Sequence, residues 1–303
     1  MLSMETLSYA ASTEYNCIGS ISQVPDYVRG YNTEPISSYM GAAPVSAYST
    51  FLRCPRCAYL VYVQGRSLPK TSSCIRGLLH HDVFGWLMSK EYEFARGFSL
   101  FESDEEMLRM ILNELVSMKD HFSRKFRGQF ELLATDYESE WGYLVVQSKE
   151  AYLHWVRRLR LFASRSGLGG VELARAFVPF RQFEVMFSAR ALGVSGGKVD
   201  VVENEIPLEI KTGRAPEQGI SPDHVLQLVW YALLIEHHTE SKVDYAQVYY
   251  TKIQQRRVLS VDKEKRLWAL RVRDVALRVF KRPEPPRTSC YWCSSLSGGE
   301  RLA

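Results

Sequence analysis

The chain has 303 residues, of which 46% are hydrophobic and 24% are charged, and its formal net charge is +4. This is an ordinary globular composition, and the length suits one large domain or a core with a substantial insertion. No apolar run reaches the roughly 20 residues of a membrane helix, and the first residues lack the basic start and apolar core of a signal peptide. We therefore expect a cytoplasmic protein, and the small net charge permits a nucleic-acid partner without arguing for one.

The first 50 residues show little periodicity and predict an N-terminal arm. Within this arm, the stretch 26–31 mixes charged and aromatic residues, so it can either pack against the protein or touch nucleic acid. The stretch 48–62 then predicts a helix entry that is followed by an apolar segment.

The cysteines form a pattern that spans the chain. There are six of them: Cys17, Cys54, Cys57, Cys74, Cys290 and Cys293. In a cytoplasmic protein, cysteines are more often metal ligands or thiols than disulfides. Two pairs have C-x-x-C spacing, and the four thiolates of two such pairs can bind either a zinc ion or an iron–sulfur cluster. Cys17 is expected to be a buried free thiol, and Cys74 stays open as a further ligand.

The middle of the chain predicts several helices. A helix is expected at 76–92, and Ser103 with Glu106 forms a capping box that begins a long helix with a basic end at 119–127. Another helix is expected at 137–165. Together these helices predict a helical lobe, whose basic residues either face solvent or hold a DNA backbone.

The next segment has the alternation of a strand at 178–189, with Phe183, Val185 and Phe187 on one face. Glu184 lies outside that set, and it is expected to be either a structural residue or an auxiliary metal ligand. The remaining elements are expected as follows: strands at 243–252 and 256–261, forming a hairpin, and a basic amphipathic helix at 262–281.

The segment 196–231 carries the strongest chemical pattern. Lys198, Asp200 and Val202 would share one face of a strand, because side chains alternate along it. Glu209 and Lys211 share a face of the next strand. A hairpin of these strands would place Asp200 opposite Glu209 and Lys211, with an apolar layer behind this polar patch.

A helix is predicted after this hairpin, with Ser221 as its capping hydroxyl. Gln227 and Tyr231 are four residues apart and therefore share one face of the helix. Carboxylates attract hard divalent cations, and a neighbouring lysine can orient a water or neutralise charge in a transition state. This set suits phosphodiester hydrolysis, whereas an isolated acid–x–lysine triplet is more often a solvated hairpin face.

The order and spacing of Asp200, the Glu209-Ile210-Lys211 triplet and the Gln227-x-x-x-Tyr231 pair resemble the RecB-like nucleases of the PD-(D/E)xK superfamily. The resemblance implies an α/β fold with a nuclease core around a mixed central sheet and a helical lobe inserted before it. It also implies a cysteine-ligated cluster that joins the N- and C-terminal segments.

The same resemblance implies roles for individual residues. RecB-like nucleases carry a G-x-x-x-H helix, and the spacing from Gly77 points to His81 as a metal ligand, with His80 as the runner-up. Further ligands of Mg²⁺ or Mn²⁺ would be Asp200, Glu209 and the carbonyl of Ile210. The catalytic set would comprise Asp200, Glu209, Lys211, Gln227 and Tyr231, with Lys211 positioning or activating the attacking water.

The cysteine pattern is similar to that of CRISPR-associated RecB-like exonucleases and of AddB-type helicase–nucleases, which implies a [4Fe–4S] cluster with zinc as the alternative. Its ligands would be Cys54, Cys57, Cys290 and Cys293. The usual pattern has one N-terminal and three C-terminal cysteines, so this chain departs from it. The chain has no Walker loop, which excludes a full helicase–nuclease, and it looks most like the archaeal subtype I-A variant of the CRISPR-associated exonuclease.

The resemblance implies a metal-dependent DNA exonuclease that acts on single-stranded ends in CRISPR spacer acquisition, with the integrase proteins of that system as partners. The alternatives are a DNA-repair or phage-type nuclease and a non-catalytic DNA-binding subunit of the same fold. The expected organisation is as follows: an arm at 1–50, cluster segments at 51–75 and 282–303, a helical lobe at 76–170 and a nuclease core at 171–281.

Overall fold

The structure, a computed structural model, describes residues 41–67, 71–132, 136–287, 290 and 293. Most of the predicted N-terminal arm, including Cys17 and the stretch 26–31, lies outside these residues. Within them the chain forms nine α-helices and five strands. The helices are α1 (Val45–Arg53), α2 (Pro55–Tyr62), α3 (Ser72–Gly97), α4 (Asp104–Ser117), α5 (Lys119–Leu132), α6 (Tyr137–Ser166), α7 (Gly170–Phe177), α8 (Pro222–Thr239) and α9 (Lys263–Phe280). The strands are β1 (Arg181–Ala189), β2 (Val194–Glu203), β3 (Ile206–Lys211), β4 (Tyr245–Tyr250) and β5 (Gln255–Ser260).

The five strands form one mixed sheet in the order β1-β2-β3-β4-β5. All neighbours are antiparallel except β3 and β4, which are parallel. Parallel neighbours end at the same edge of a sheet, and Lys211 at the end of β3 lies beside Tyr250 at the end of β4. The predicted α/β architecture with a mixed central sheet is confirmed.

The turn between β2 and β3 sets the register of this strand pair. Asn204 and Glu205 both have positive φ, 49° and 66°, the combination that a tight two-residue hairpin requires. The Asn204 carboxamide oxygen also accepts a hydrogen bond from the Phe180 backbone at 3.2 Å. Because the turn closes at Glu203 and Ile206, Val201 pairs with Leu208, the last pair of the ladder. Asp200 and Glu209 are the residues that come next on the two strands.

Two large apolar cores lie on either side of the sheet. One core joins the sheet to α1, α8 and α9, and its largest fully buried side chains include Tyr48, Phe51 and Trp230. The other lies within the helical lobe of α3 to α7. A small cluster of Met88, Val201, Leu208 and Ile210 connects α3 to the sheet. None of the described helices combines the length and the apolar character that a bilayer-spanning segment requires.

The strict alternation expected for β1 and β2 is wrong at one point. Phe183 packs with the small cluster beneath α3, whereas Val185 and Phe187 pack against the core under α8. The change occurs at Glu184, which has a φ of 53°, and neither Glu184 nor Asp200 opposite it takes part in the strand ladder. A left-handed residue in one strand turns the following side chains to the other face, which no alternation rule foresees.

Three helical predictions also need correction. The long helix expected after the capping box, which is present at Ser103 and Glu106, is two helices separated at Met118. The halves part because α4 packs on α6 while α5 packs on α3. Helix α7, of eight residues, was not expected, because the glycine-rich sequence at its start indicated a break in regular structure. Ser221 occupies the N-cap of α8 but makes no capping hydrogen bond through its side chain.

Gly197 in β2 allows a close approach that a methyl group would obstruct. A Cβ at this position would lie 2.8 Å from Val45 Cγ2 and 2.9 Å from Leu234 Cδ1. We expect Gly197→Ala to lower the free energy of unfolding by about 1–3 kcal/mol through overpacking. Gly196→Ala is the matched control, since its Cβ would meet its nearest neighbour, Met186 Cε, only at 3.8 Å. Equal urea unfolding curves for both variants would contradict this packing argument.

Candidate active site and cysteine cluster

Two buried carboxylates, Asp200 on β2 and Glu209 on β3, lie side by side in the sheet. The backbone ladder between these strands ends at Val201 and Leu208. Beyond that point the Oδ2 atom of Asp200 accepts a hydrogen bond from the Ile210 N–H at 2.8 Å. The Asp200 carboxylate thus replaces a backbone acceptor and is fixed between the two strands.

The environments of the two acids differ. Burial, followed by the charge of Asp200, raises the pKa of Glu209 to about 7. Burial also opposes ionisation of Asp200, but hydrogen bonds from His81 and the Ile210 N–H and the charge of Lys211 hold its pKa below its usual value. The Oε2 atom of Glu209 is buried and has no hydrogen-bond partner among the described residues. A buried pair of carboxylates with an unengaged oxygen is the donor set that a hard divalent cation requires.

Lys211, Gln227 and Tyr231 form a hydrogen-bonded chain that ends on Glu209. The Oε1 atom of Glu209 accepts from Lys211 Nζ at 2.6 Å and from Gln227 Nε2 at 2.8 Å. Gln227 Oε1 accepts from the same Lys211 amine at 2.9 Å, and Gln227 Nε2 also lies 2.7 Å from the Tyr231 hydroxyl. Burial raises the pKa of Tyr231, so this hydroxyl keeps its proton. Helix α8 therefore holds the Lys211 amine beside Glu209.

His81 and His80 project from α3 in different directions. His81 Nε2 lies 3.0 Å from Asp200 Oδ1. Burial lowers the pKa of His81, but hydrogen bonds to Asp200 and Asp82 outweigh this and raise it to about 10. His80 instead points at α6, with its Nε2 atom 2.6 Å from Glu140 Oε1. The structure thus brings His81, and not His80, to the carboxylate pair.

Gly77 explains how α3 comes so near to the sheet. The Thr212 hydroxyl at the end of β3 donates to the Gly77 carbonyl at 3.3 Å. A Cβ on Gly77 would lie 3.1 Å from the same hydroxyl oxygen, which is closer than most side-chain contacts. The glycine one turn before His81 therefore serves the approach of the histidine to Asp200.

Some residues near the site were not foreseen. Asp82, the neighbour of His81, can present a ligand atom within 4.8 Å of His81 and Glu184, but Lys125 pairs with Asp82 and Lys198 pairs with Glu184. Both carboxylates thus already have cationic partners. The sequence could have indicated Asp82 only through its position directly after His81. It could not have indicated Lys125, which reaches Asp82 from a distant helix.

A buried ionic network was also missed, and it fixes α3 against the sheet. Arg181 at the start of β1 donates to Glu91 of α3 at 2.7 Å, to the Met88 carbonyl at 3.1 Å and to Glu203 of β2 at 2.8 Å. Arg256 of β5 donates to the other oxygen of Glu203 at 2.8 Å. Sequence reasoning had no signal for this set, because its members are far apart in the chain.

The four cysteines of the C-x-x-C pairs lie together and join the segment around α2 to the segment after α9. Cys54 is the N-cap of α2 and Pro55 follows it, so the first turn places Cys54 and Cys57 on the same side. The sulfur of Cys57 lies 3.3 Å from that of Cys290 and 3.4 Å from that of Cys293. Cys74 is exposed and is not a member of this group.

This donor set suits a thiophilic metal. Burial raises the pKa of Cys54 to about 11, so a cation is needed for the thiols to ionise together. A single tetrahedral ion with metal–sulfur bonds of about 2.3 Å requires sulfurs about 3.8 Å apart. All four sulfurs lie within 4.8 Å of one another, which is near that spacing. A cubane places four irons between its thiolates, so it would require the sulfurs to move further outward.

Comparison with protein families agrees with this geometry. Residues 43–297 match the model of the PD-(D/E)XK nuclease superfamily. The chain therefore belongs to this superfamily, whose members are typically nucleases that hydrolyse phosphodiesters with divalent metals. No curated protein sequence is similar enough to the chain to count as a match.

Arg181 offers a test of how the site is supported. We expect Arg181→Met to lower the free energy of unfolding by about 3–5 kcal/mol. The buried Glu91 carboxylate would lose its cation and keep only a tyrosine hydroxyl as its partner. Lys198→Met, which removes the exposed pair with Glu184, should cost less than about 1 kcal/mol. Urea denaturation measures both values, and comparable losses would show that the Arg181 network has no special structural weight.

Proposed function

We propose that this protein is a Mg²⁺- or Mn²⁺-dependent DNA exonuclease that acts on single-stranded ends. The observation that supports it best is the convergence of Asp200, Glu209 and Lys211, with one carboxylate oxygen of Glu209 left without a partner in the part of the chain that the structure describes. Membership of the PD-(D/E)XK superfamily supports the hydrolysis of phosphodiesters. The preference for single-stranded ends is supported by the resemblance of the motifs alone.

In this proposal His81, Asp200, Glu209 and the Ile210 carbonyl hold the divalent cation. When bound, that cation polarises the scissile phosphate and lowers the pKa of a nearby water. Asp200 is prepared for this role because the Ile210 N–H and His81 already favour its ionised form. His81 would bind as the neutral imidazole, giving up the proton that it holds beside Asp200.

Lys211 acts next to the cation site. Its amine, held by Glu209 and Gln227, orients the attacking water and offsets charge on the phosphate as the bond breaks. Gln227 fixes the direction of this amine, and Tyr231 fixes the carboxamide of Gln227. Glu209, Gln227 and Tyr231 thus hold the Lys211 amine in one place and exclude bulk water from one side of the site.

The resemblance to CRISPR-associated RecB-like exonucleases supports a place in spacer acquisition, where the enzyme would trim DNA fragments before integration. The integrase proteins of such a system would be its partners. Co-purification with those proteins tests this part of the proposal. Cleavage without any such association would favour a DNA-repair or phage-type nuclease.

Asp200→Ala is the sharpest test of the nuclease assignment. We expect it to lower Mn²⁺-dependent cleavage of single-stranded DNA by about a hundredfold or more, because one carboxylate of the cation site is lost. Binding of the same DNA should change little. Glu184→Gln is the matched control, since this acid lies on the neighbouring strand with Lys198 as its partner, and it should keep its activity. Undiminished cleavage by Asp200→Ala would refute the assignment, and DNA binding by a wild-type protein that never cleaves would indicate a non-catalytic subunit.

We further propose that Cys54, Cys57, Cys290 and Cys293 hold one metal centre. The resemblance supports a [4Fe–4S] cluster, and the short sulfur spacing supports zinc as the alternative. Either centre would join the two ends of the fold, which stabilises the protein by restricting the unfolded chain.

Anaerobically purified protein decides between these centres. We expect a brown protein with visible absorption and about four irons and four sulfides per chain. Cys290→Ala should lose the colour, whereas Cys74→Ala, at the exposed cysteine, should keep it. A colourless protein with one zinc would show that the metal centre exists but is zinc and not an iron–sulfur cluster. A protein free of both metals would contradict a metal centre altogether.

A further inference from the structure

A groove of about 310 Å³ lies between α6 and the turn that connects β4 to β5. Helix α6 contributes Glu150, His154 and Arg157, and the turn contributes Lys252 and Gln254. None of these residues belongs to the site described above. A larger cavity, of about 700 Å³, is lined by residues at the start of β4 and the end of β5, at the opposite edge of the sheet.

The groove lies at the same edge of the sheet as the candidate active site. Because β3 and β4 are parallel and Lys211 lies beside Tyr250, the turn that follows Tyr250 begins next to Lys211. Helix α6 also contacts the active-site helix, through the hydrogen bond between Glu140 and His80.

The charges in the groove favour an anion. Lys252 is exposed and forms no ion pair with any other described residue. Arg157 is held only loosely by Asp104, at 3.8 Å, because Arg160 already binds that carboxylate at 2.5 Å. Glu150, the one acid among the described residues that line the groove, accepts a hydrogen bond from the Gln254 carboxamide at 3.0 Å. Two accessible cations therefore face the groove.

The length of α6 between its contact with α3 and the far end of the groove suits a polymer. Helix α6 rises about 1.5 Å per residue, so Glu150 to Arg157 lie about 15–25 Å along the helix from Glu140, beside His80. A mononucleotide could not span that length, but a strand of several nucleotides could. Leu153 and the exposed Ile253 add apolar surface to the groove for sugars or bases.

We propose that this groove binds the sugar–phosphate backbone of a single DNA strand several nucleotides away from the bond that is cut. The inference rests on the proposed nuclease function and extends it with a second contact for the same strand. Lys252 and Arg157 each neutralise a phosphate, and the groove thereby holds the strand in register with the active site.

The test uses the full chain with Asp200→Ala, so that bound DNA is not cut, and compares it with the same chain carrying Lys252→Ala and Arg157→Ala. Fluorescence anisotropy measures the affinity for labelled single strands of increasing length at several salt concentrations. For long strands we expect about a tenfold loss of affinity at low salt. The negative slope of log K against log salt should become shallower by about 1.4, or 0.7 per phosphate contact. Strands too short to span from the active site to the groove should bind both proteins equally.

Lys242→Ala is the matched control, because this exposed lysine precedes β4 and lies at the opposite edge of the sheet. It should leave both the affinity and the salt slope unchanged, and Lys252→Arg with Arg157→Lys should restore binding because the charges return. Unchanged affinity in the double alanine variant, or an equal loss for the shortest strands, would overturn the groove while leaving the nuclease intact. A wild-type chain that neither binds nor cleaves DNA would overturn the proposed function and the groove together.

Discussion

The burial of two carboxylates on neighbouring strands is the constraint on which the candidate site depends. Asp200 and Glu209 are both largely removed from water, and two like charges at this separation repel each other strongly in a low dielectric. Positive charge and hydrogen-bond donors must therefore be placed around them. His81, the Ile210 N–H and Lys211 meet most of this requirement, and the unengaged oxygen of Glu209 is the part that they leave for a cation.

This compensation comes from three elements that must be held in place independently. Lys211 belongs to the sheet itself, and Gln227 reaches it from α8, which the apolar core anchors. His81 comes from α3, which belongs to the core of the helical lobe. Polar contacts as well as apolar ones join the lobe to the sheet. Arg181 strengthens this connection, because it binds an acid and a carbonyl of α3 and an acid of β2 at the same time.

The sequence was informative where the chemistry is local. Asp200 and Glu209 are joined by a tight turn, so strand alternation and turn position were enough to predict that they lie side by side, and helical spacing was enough to pair Gln227 with Tyr231. The rest depends on backbone details or on distant partners. One residue with positive φ, Glu184, moves Phe187 to a different face from Phe183, and the partners of Arg181 lie ninety positions upstream and twenty-two downstream.

The cysteine cluster lies at the end of α1, a helix that packs on α8. Cys54 ends α1 and begins α2, so a bond at its sulfur fixes the point where these two helices meet. Helix α1 packs on α8, and Arg53, the residue before Cys54, lies 3.4 Å from Asp223 in the first turn of α8. That turn is followed by Gln227, which holds the Lys211 amine. A metal centre at the cysteines would therefore stabilise the helix on which the candidate catalytic lysine depends.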